Sequence, residues 1–308
     1  MKLNKLIGIY NEQNHKVFNF FGLKIKKTIM HKYLQNEIKQ MESRLLNNFA
    51  RLQTISLLHQ KTFPEYKNKY QNKAVVLVGA GPTLNHFVPI KNAVYVGLNR
   101  TFLFERINFD YLFTIDKVGI DMYYKEFAEY KGNNCIKFIG DQNLGKNFQI
   151  PESYINKLEN IKRYKTTAGF MGNKIALNLE SEPLANFCTV SLQAMQFILY
   201  TNPAKVYIVG IDCNMTKAGH FFGASYDNSK RNENSQQNDD NSILYWKRLK
   251  NFAECYYPET EIISVNPVGL KGLFKDVYTE SYLLEHPEIR EELGASIEIL
   301  DSKEAINV

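Results

Sequence analysis

Five aliphatic residues run without a break into a glycine turn at Lys73-Ala-Val-Val-Leu-Val-Gly79-Ala-Gly81-Pro82-Thr83-Leu84, and no other stretch of the chain limits its fold as tightly. A short, unbroken aliphatic run rich in β-branched residues is the pattern of a strand covered on both faces, as in a parallel sheet flanked by helices. Gly79 and Gly81 let the backbone turn sharply and come close to a ligand, and Pro82 suits the first position of a following helix. Such a turn is expected to aim backbone N–H groups at a phosphate lying above the strand. A tight turn with a structural role alone is the competing reading.

The same stretch excludes two common phosphate binders. Leu84 stands where the dinucleotide fingerprint has its third glycine, and Asn99 stands where an acidic residue would hold a ribose. No G-K-[ST] follows the turn, so the phosphate lysine of a P-loop is missing as well.

With 308 residues and 44% hydrophobic content, the chain can bury one large α/β core and an appendage. Charge separates the two. Residues 1–73 carry 14 Lys and Arg against 4 Glu, whereas the remainder is slightly acidic. Residues 1–72 therefore read as a basic helical N-terminal appendage. Lys16 to Lys27 interleaves lysines with aromatics, and Tyr33 to His59 repeats apolar residues at helical spacing. Its apolar face fits either anionic lipid, as a peripheral contact at the cytoplasmic face of an inner membrane, or another protein surface, including a second copy in a homo-oligomer. Nucleic acid is not expected, because no reader motif accompanies the basic residues. Cys135, Cys188, Cys213 and Cys255 are scattered without C-x-x-C or metal-ligand spacing, which favours a reducing, cytoplasmic setting and indicates neither a metal nor a disulfide framework. No membrane span or signal peptide is expected.

From residue 73 to 285, strand and helix patterns alternate as in a Rossmann-like, doubly wound, mostly parallel sheet of the α/β class. Strands are expected at 74–78, 93–98, 111–115, 134–139, 205–210 and 261–265, and helices at 120–130, 151–162, 170–180, 191–201 and 242–256, with a Ser191 cap on the fourth. Residues 227–241 lack any apolar side chain and read as a solvated loop, a lid over the site or a plain linker. Residues 286–308 read as a C-terminal tail.

In an open parallel sheet, ligands bind beyond the carboxyl ends of the strands. Those ends are Gly79 to Thr83, Asn99, Asp116, Asp141, Asp212 and Asn266, all able to hydrogen-bond a polar ligand. Thr83 suits a phosphate, and Asn99 a base or ribose. Asp116 and Asp212 suit sugar hydroxyls or, alternatively, a metal. Among six histidines, His220 in Ala218-Gly-His-Phe-Phe-Gly223 stands just past Asp212, and its ordinary pKa suits a general base for an acceptor hydroxyl. A loop histidine bonded to backbone is the plain alternative. His86 is expected on the first helix, near phosphate.

Several of these segments occur together in a known group. Gly79-Ala-Gly-Pro-Thr-Leu84, Gly97-Leu-Asn99-Arg-Thr-Phe, Val190-Ser191 and Val206-Tyr-Ile-Val-Gly-Ile-Asp212 resemble, in order and rough spacing, the blocks of bacterial lipooligosaccharide sialyltransferases. The blocks also resemble those of the wider motility-associated, 6-hydroxymethylpterin pyrophosphokinase-like glycosyltransferases, to which Gly219-His220-Phe221 and Ile263-Ser-Val-Asn266 are similar. The resemblance implies a metal-independent glycosyltransferase with no resident cofactor. It would take a sugar, sialic-acid-like, from a cytidine-monophosphate (CMP) donor and transfer it to a surface glycan, glycolipid or glycoprotein acceptor. With the strand-end reading, it places Gly79, Gly81, Pro82, Thr83, Asn99, Asp116 and Ser191 around the donor and makes His220 and Asp212 the catalytic pair. The sialyltransferase arginine ahead of T-S-G, their tyrosine pair and their downstream histidine have no counterpart here, so His220 as base follows the wider group. The rival readings are a magnesium-dependent pyrophosphokinase acting on a pterin-like alcohol and a non-catalytic nucleotide-binding module.

Overall fold

The computed structural model describes residues 7–12, 15–20, 23–28, 30–115, 117, 120–141, 149–167, 174–187, 189–214, 219–221 and 233–300. Packing divides the chain into two compact units, Met1–Thr54 and Ile55–Val308.

The first unit holds β1 (Ile7–Glu12), β2 (His15–Phe20) and β3 (Leu23–Thr28), joined as an antiparallel sheet that pairs Glu12 with His15 and Phe20 with Leu23. A basic helical appendage was the expectation, with its helix from about Tyr33 to His59 and no strands assigned ahead of it. Lys24 and Lys26 alternate with Leu23 and Ile25 at the period of a strand, a pattern that a helix does not explain. The long helix α1 (Met30–Thr62) follows and runs into the second unit.

The second unit contains β4 (Ala74–Val78), β5 (Val94–Leu98), β6 (Tyr111–Thr114), α2 (Tyr124–Glu129), β7 (Ile136–Asp141), α3 (Glu152–Ile155), β8 (Ile161–Lys165), α4 (Val190–Tyr200) and β9 (Lys205–Val209). It continues through α5 (Glu233–Tyr256), β10 (Glu261–Val265), β11 (Lys275–Val277), α6 (Glu280–Glu285) and α7 (Pro287–Leu293). Eight strands form one sheet in the order β11-β10-β9-β4-β5-β6-β7-β8, every neighbouring pair parallel. The α/β, doubly wound expectation therefore holds. Strand order reverses between β4 and β9, which makes the carboxyl ends of these two strands the topological switch point.

β4 is buried along its whole length because each face carries a core. Val75 and Leu77 pack toward α4, whose eleven residues are all buried, while Val76 and Val78 pack with Phe87, Phe109 and Val209 on the other side. Residues 55–72, grouped with the appendage on charge, belong to this unit by packing: Phe63, Tyr66 and Tyr70 sit in the first core against Tyr111, Phe138 and Phe197.

Four other expectations fail. Residues 161–165 form β8, an edge strand whose Ile-Lys-Arg-Tyr-Lys buries only Tyr164 and keeps its basic side chains at the rim, where charge blunts edge pairing. Of the helix expected at 170–180, the described residues 174–180 are not helical. The polar stretch is not a loop throughout, because α5 begins at Glu233; Tyr245, Trp246, Leu249 and Ala253 anchor its buried face, and the helix propagates from there toward its N-terminus. Residues 227–232 lie outside the described residues. The C-terminal segment is also ordered into α7 and a parallel bridge between Tyr278 and Ile299.

Candidate donor-binding site at the switch point

The glycine turn and the end of β9 are sewn together by main chain. Gly79 N–H donates to Val209 O and Gly81 N–H to Gly210 O, both at 2.8 Å. A Cβ on Gly79 would stand 2.4 Å from Gly210 O, and one on Gly81 would stand 2.4 Å from Asp212 Oδ2, so both positions exclude any side chain. Gly210 itself has a φ of +64. The glycines thus serve contact between two backbone turns. Their amides do not point at a ligand as expected, because β9 already accepts them.

Asp212 completes this lock. Its carboxylate is 8% exposed and accepts the Thr83 N–H at 3.2 Å and the Thr83 hydroxyl, while its main-chain O accepts the Gly269 N–H at 2.8 Å. Burial raises its pKa above the usual carboxylate value, and the two Thr83 bonds and the charge of His86 oppose that rise. Thr83 is consequently spent on Asp212. Pro82 does occupy the first position of a helical turn, and the helix expected there is a single 3-10 segment, Pro82–His86.

Asn99 ends β5 with a φ of +50 and opens the 3-10 turn Asn99–Leu103. Its Oδ1 is out of solvent and accepts no hydrogen bond among the described residues. A buried amide oxygen without a partner is a group that normally finds an N–H or O–H, and no described residue supplies one here. The other strand ends are occupied. Asp141 pairs with Lys165 and, at 3.9 Å, with Arg163; Asn266 bonds Thr279. Asp116 lies outside the described residues.

Two further segments reach this edge. The Phe221 N–H donates to Ala80 O at 3.0 Å and its carbonyl accepts from Asn85 at 3.3 Å, so half-buried His220 stands next to a residue pinned to the glycine turn. The end of α4 lies at the amino edge, since Asn68 N–H bonds Tyr200 O just ahead of β4, and its first turn therefore lies at the carboxyl edge. Thr189, rather than Ser191, caps that turn; the two hydroxyls lie 2.8 Å apart and Ser191 is buried. His86 turns toward α6, with Nε2 3.6 Å from Glu285 and its ring edge-on to Tyr282.

Gln193, in the first turn of α4, was read only as part of an apolar helix. It is fully buried; its Oε1 accepts from the Tyr164 hydroxyl at 2.7 Å, and its Nε2 has no partner among the described residues. The two amides Gln193 and Gln196 inside the otherwise apolar Ser191-Leu-Gln-Ala-Met-Gln-Phe were the available signal. Among the described residues, no group of three His, Cys, Asp or Glu is placed to hold a metal, and no helix is long and apolar enough to cross a membrane.

No protein-family model matches the chain, and no curated protein does. Among solved structures, the chain is similar to the sialyltransferase CstII from Campylobacter jejuni in complex with the substrate analogue CMP-3FNeuAc, at 12% identity over 62% of this chain and 80% of that one, with a TM-score of 0.37. It is also similar to the monofunctional α-2,3-sialyltransferase Cst-I from the same organism, at 14% identity over 63% and 75% with a TM-score of 0.37. A third similarity is to the MAf glycosyltransferase of Magnetospirillum magneticum AMB-1, at 13% identity over 74% of this chain but 38% of that one, with a TM-score of 0.41.

Proposed function

We propose that this chain is a glycosyltransferase that takes a sugar from a nucleotide donor of the CMP type and transfers it to a hydroxyl of a bacterial surface glycan or glycoprotein. The observation that carries the reading is the convergence of the glycine turn, Asn99, Asp212 and Gly219–Phe221 on one sheet edge at a strand-order reversal, with a buried acceptor atom on Asn99 left unfilled. These are the segments on which the family resemblance rests.

In this reading, Asn99 Oδ1 accepts an N–H or O–H of the nucleoside. Gly79 and Gly81 shape the crevice without gripping phosphate, since their amides are committed to β9. Asp212 acts through Thr83, as a positioning residue that fixes the glycine turn. The amides of the first turn of α4, beside Ser191, supply positive potential for the leaving phosphate, which is where such stabilisation contributes most. His220 takes the proton of the acceptor hydroxyl. The acceptor oxygen then bonds the anomeric carbon, and the bond from that carbon to the phosphate oxygen breaks with its electron pair going to the phosphate. No metal is assigned a part, and turnover is expected to survive EDTA. The scattered cysteines favour a reducing, cytoplasmic setting for the reaction.

Thermal shift with CMP, CDP, UDP, GDP and ATP, each with and without magnesium, tests the donor, because a ligand selective for the folded state raises its stability by mass action. The largest shift is expected with CMP and is expected to shrink in Asn99→Ala, as a tenfold loss of affinity requires. A preference for ATP with magnesium, or no shift with any nucleotide, would overturn the proposal. His220→Ala is expected to abolish donor hydrolysis while keeping the CMP shift; unchanged hydrolysis would remove His220 as the base.

A further inference from the structure

We propose that the exposed part of α1 is a coiled-coil seam that pairs antiparallel with the same helix of a second copy of this chain. Leu34, Ile38, Met41, Leu45, Asn48 and Leu52 recur at alternating steps of four and three, the spacing that keeps one narrow stripe facing a partner helix. The next two members, Ile55 and His59, are buried within the second unit at 3% and 0% exposure. Leu34, Ile38, Met41, Leu45 and Leu52 are instead 49–58% exposed. One apolar stripe is therefore covered over its last two turns and bare over the preceding ones. A helix that bares such a stripe gains most of its stability from whatever covers it.

A second helix fits this stripe better than lipid does. A helix lying on an anionic membrane carries a polar face rich in Lys and Arg. Residues 33–54 hold Lys39, Arg44 and Arg51 against Glu37 and Glu42, and the rest of that face is mainly Asn, Gln, Ser and Thr. Asn48 also interrupts the stripe, and facing an apolar residue there costs stability. The copy that fits is an identical one, because the seam is self-complementary when reversed. Leu34 then lies opposite the second copy's Leu52, Ile38 opposite its Asn48, and Met41 opposite its Leu45, which uses the bare residues and leaves Ile55 and His59 outside the overlap. In this register Glu37, on the flank of the seam, meets the second copy's Arg51 in two symmetry-related pairs, while Arg44 and Glu42 each face their own counterpart near the twofold axis, a like-charge cost that the apolar seam must offset.

Sedimentation equilibrium of the full chain tests the pairing by mass alone, apart from any transfer activity. A dimer is expected in the micromolar range. Leu45→Lys is expected to give a monomer with an unchanged melting temperature for the second unit. Leu46→Lys, off the seam and 69% exposed, is expected to leave the dimer intact. Glu37→Arg is expected to weaken dimerisation about fivefold, and Glu37→Arg with Arg51→Glu to restore it. A monomer at every concentration would overturn the proposal, as would a dimer indifferent to Leu45→Lys. So would a wild-type monomer that sediments with phosphatidylserine vesicles through a contact that Leu45→Lys destroys, an outcome that assigns the stripe to lipid.

Discussion

Asn99 and Asn266 end β5 and β10 in the same way, at the same edge of the sheet, with φ of +50 and +51. Their side chains have opposite fates. Asn266 is 1% exposed; its Oδ1 accepts the Thr279 N–H at 2.8 Å and its Nδ2 donates to the Thr279 hydroxyl at 2.9 Å. The Asn99 Oδ1 is equally hidden from water and accepts nothing among the described residues. A polar residue at a strand end is therefore not by itself a ligand contact. What separates a structural end from a binding end is whether the fold has already satisfied the side chain.

Asn266→Ala probes the satisfied end and carries the largest expected effect. It removes the buried bonds to Thr279 and puts a side chain without local hydrogen bonding into a left-handed conformation, for a loss of about 3–4 kcal/mol in urea unfolding. The CMP thermal shift is expected to persist. A loss of less than about 1 kcal/mol would mean that the two asparagines do not differ in the way the geometry indicates.

The end of β8 is satisfied by a histidine. His59 Nδ1 lies 2.8 Å from Leu179 O and Nε2 accepts the Lys165 N–H at 2.8 Å, so Nδ1 carries the proton. Burial holds its pKa down to about 4 from 6.5. The unfolded chain takes up a proton below 6.5 that the folded form resists. The stabilisation is thus complete above pH 6.5 and is lost as pH falls toward 4, by about 3 kcal/mol over that window. The stability gap between wild type and His59→Gln should accordingly narrow from pH 7.5 to 4.5. A gap constant with pH would show that His59 is not held neutral.

At the open end, Asn99→Ala is expected to weaken nucleotide binding about tenfold, near 1.4 kcal/mol, while stability falls by about 1 kcal/mol through backbone strain alone. Asn99→Gly separates the two effects, since glycine accepts a positive φ freely; stability should return to near wild type while affinity stays low. Affinity recovering in the glycine variant would mean that the turn, rather than the amide oxygen, holds the nucleotide.

The sequence made some of these ends visible and hid their state. The unbroken runs Ala74–Val78 and Lys205–Val209 have only one stable place in an α/β protein, the centre of the sheet, and the residues that follow them necessarily meet at the switch point. What stayed hidden depends on contacts distant along the chain. Nothing local to Gly79 or Gly81 tells that Val209 and Gly210 consume their amides, or that Thr279 saturates Asn266. β8 was hidden because an edge strand buries one side chain in five and keeps the polarity of a solvated helix. The N-terminal part of α5 was hidden because its helicity comes from the packed residues after it.

Asp212 stands between the two asparagines, satisfied by Thr83 yet held there at a cost. Its raised pKa means that its contribution favours folding fully below its ordinary value of 3.8 and is lost as pH rises through the folded value. Burial makes the charged carboxylate oppose folding relative to a neutral group of the same shape. Asp212→Asn offers that shape, with an oxygen to accept the Thr83 N–H and an amide to donate to the Thr83 hydroxyl. The variant is expected to match or exceed wild type at pH 7.5 by about 1 kcal/mol at most, the advantage fading toward pH 4. It should keep the CMP shift, because the glycine turn stays in place. A large loss of stability at pH 7.5 would show that the charge itself holds the turn. Loss of the shift without loss of stability would move Asp212 from the satisfied ends to the open ones, as a group that touches the ligand.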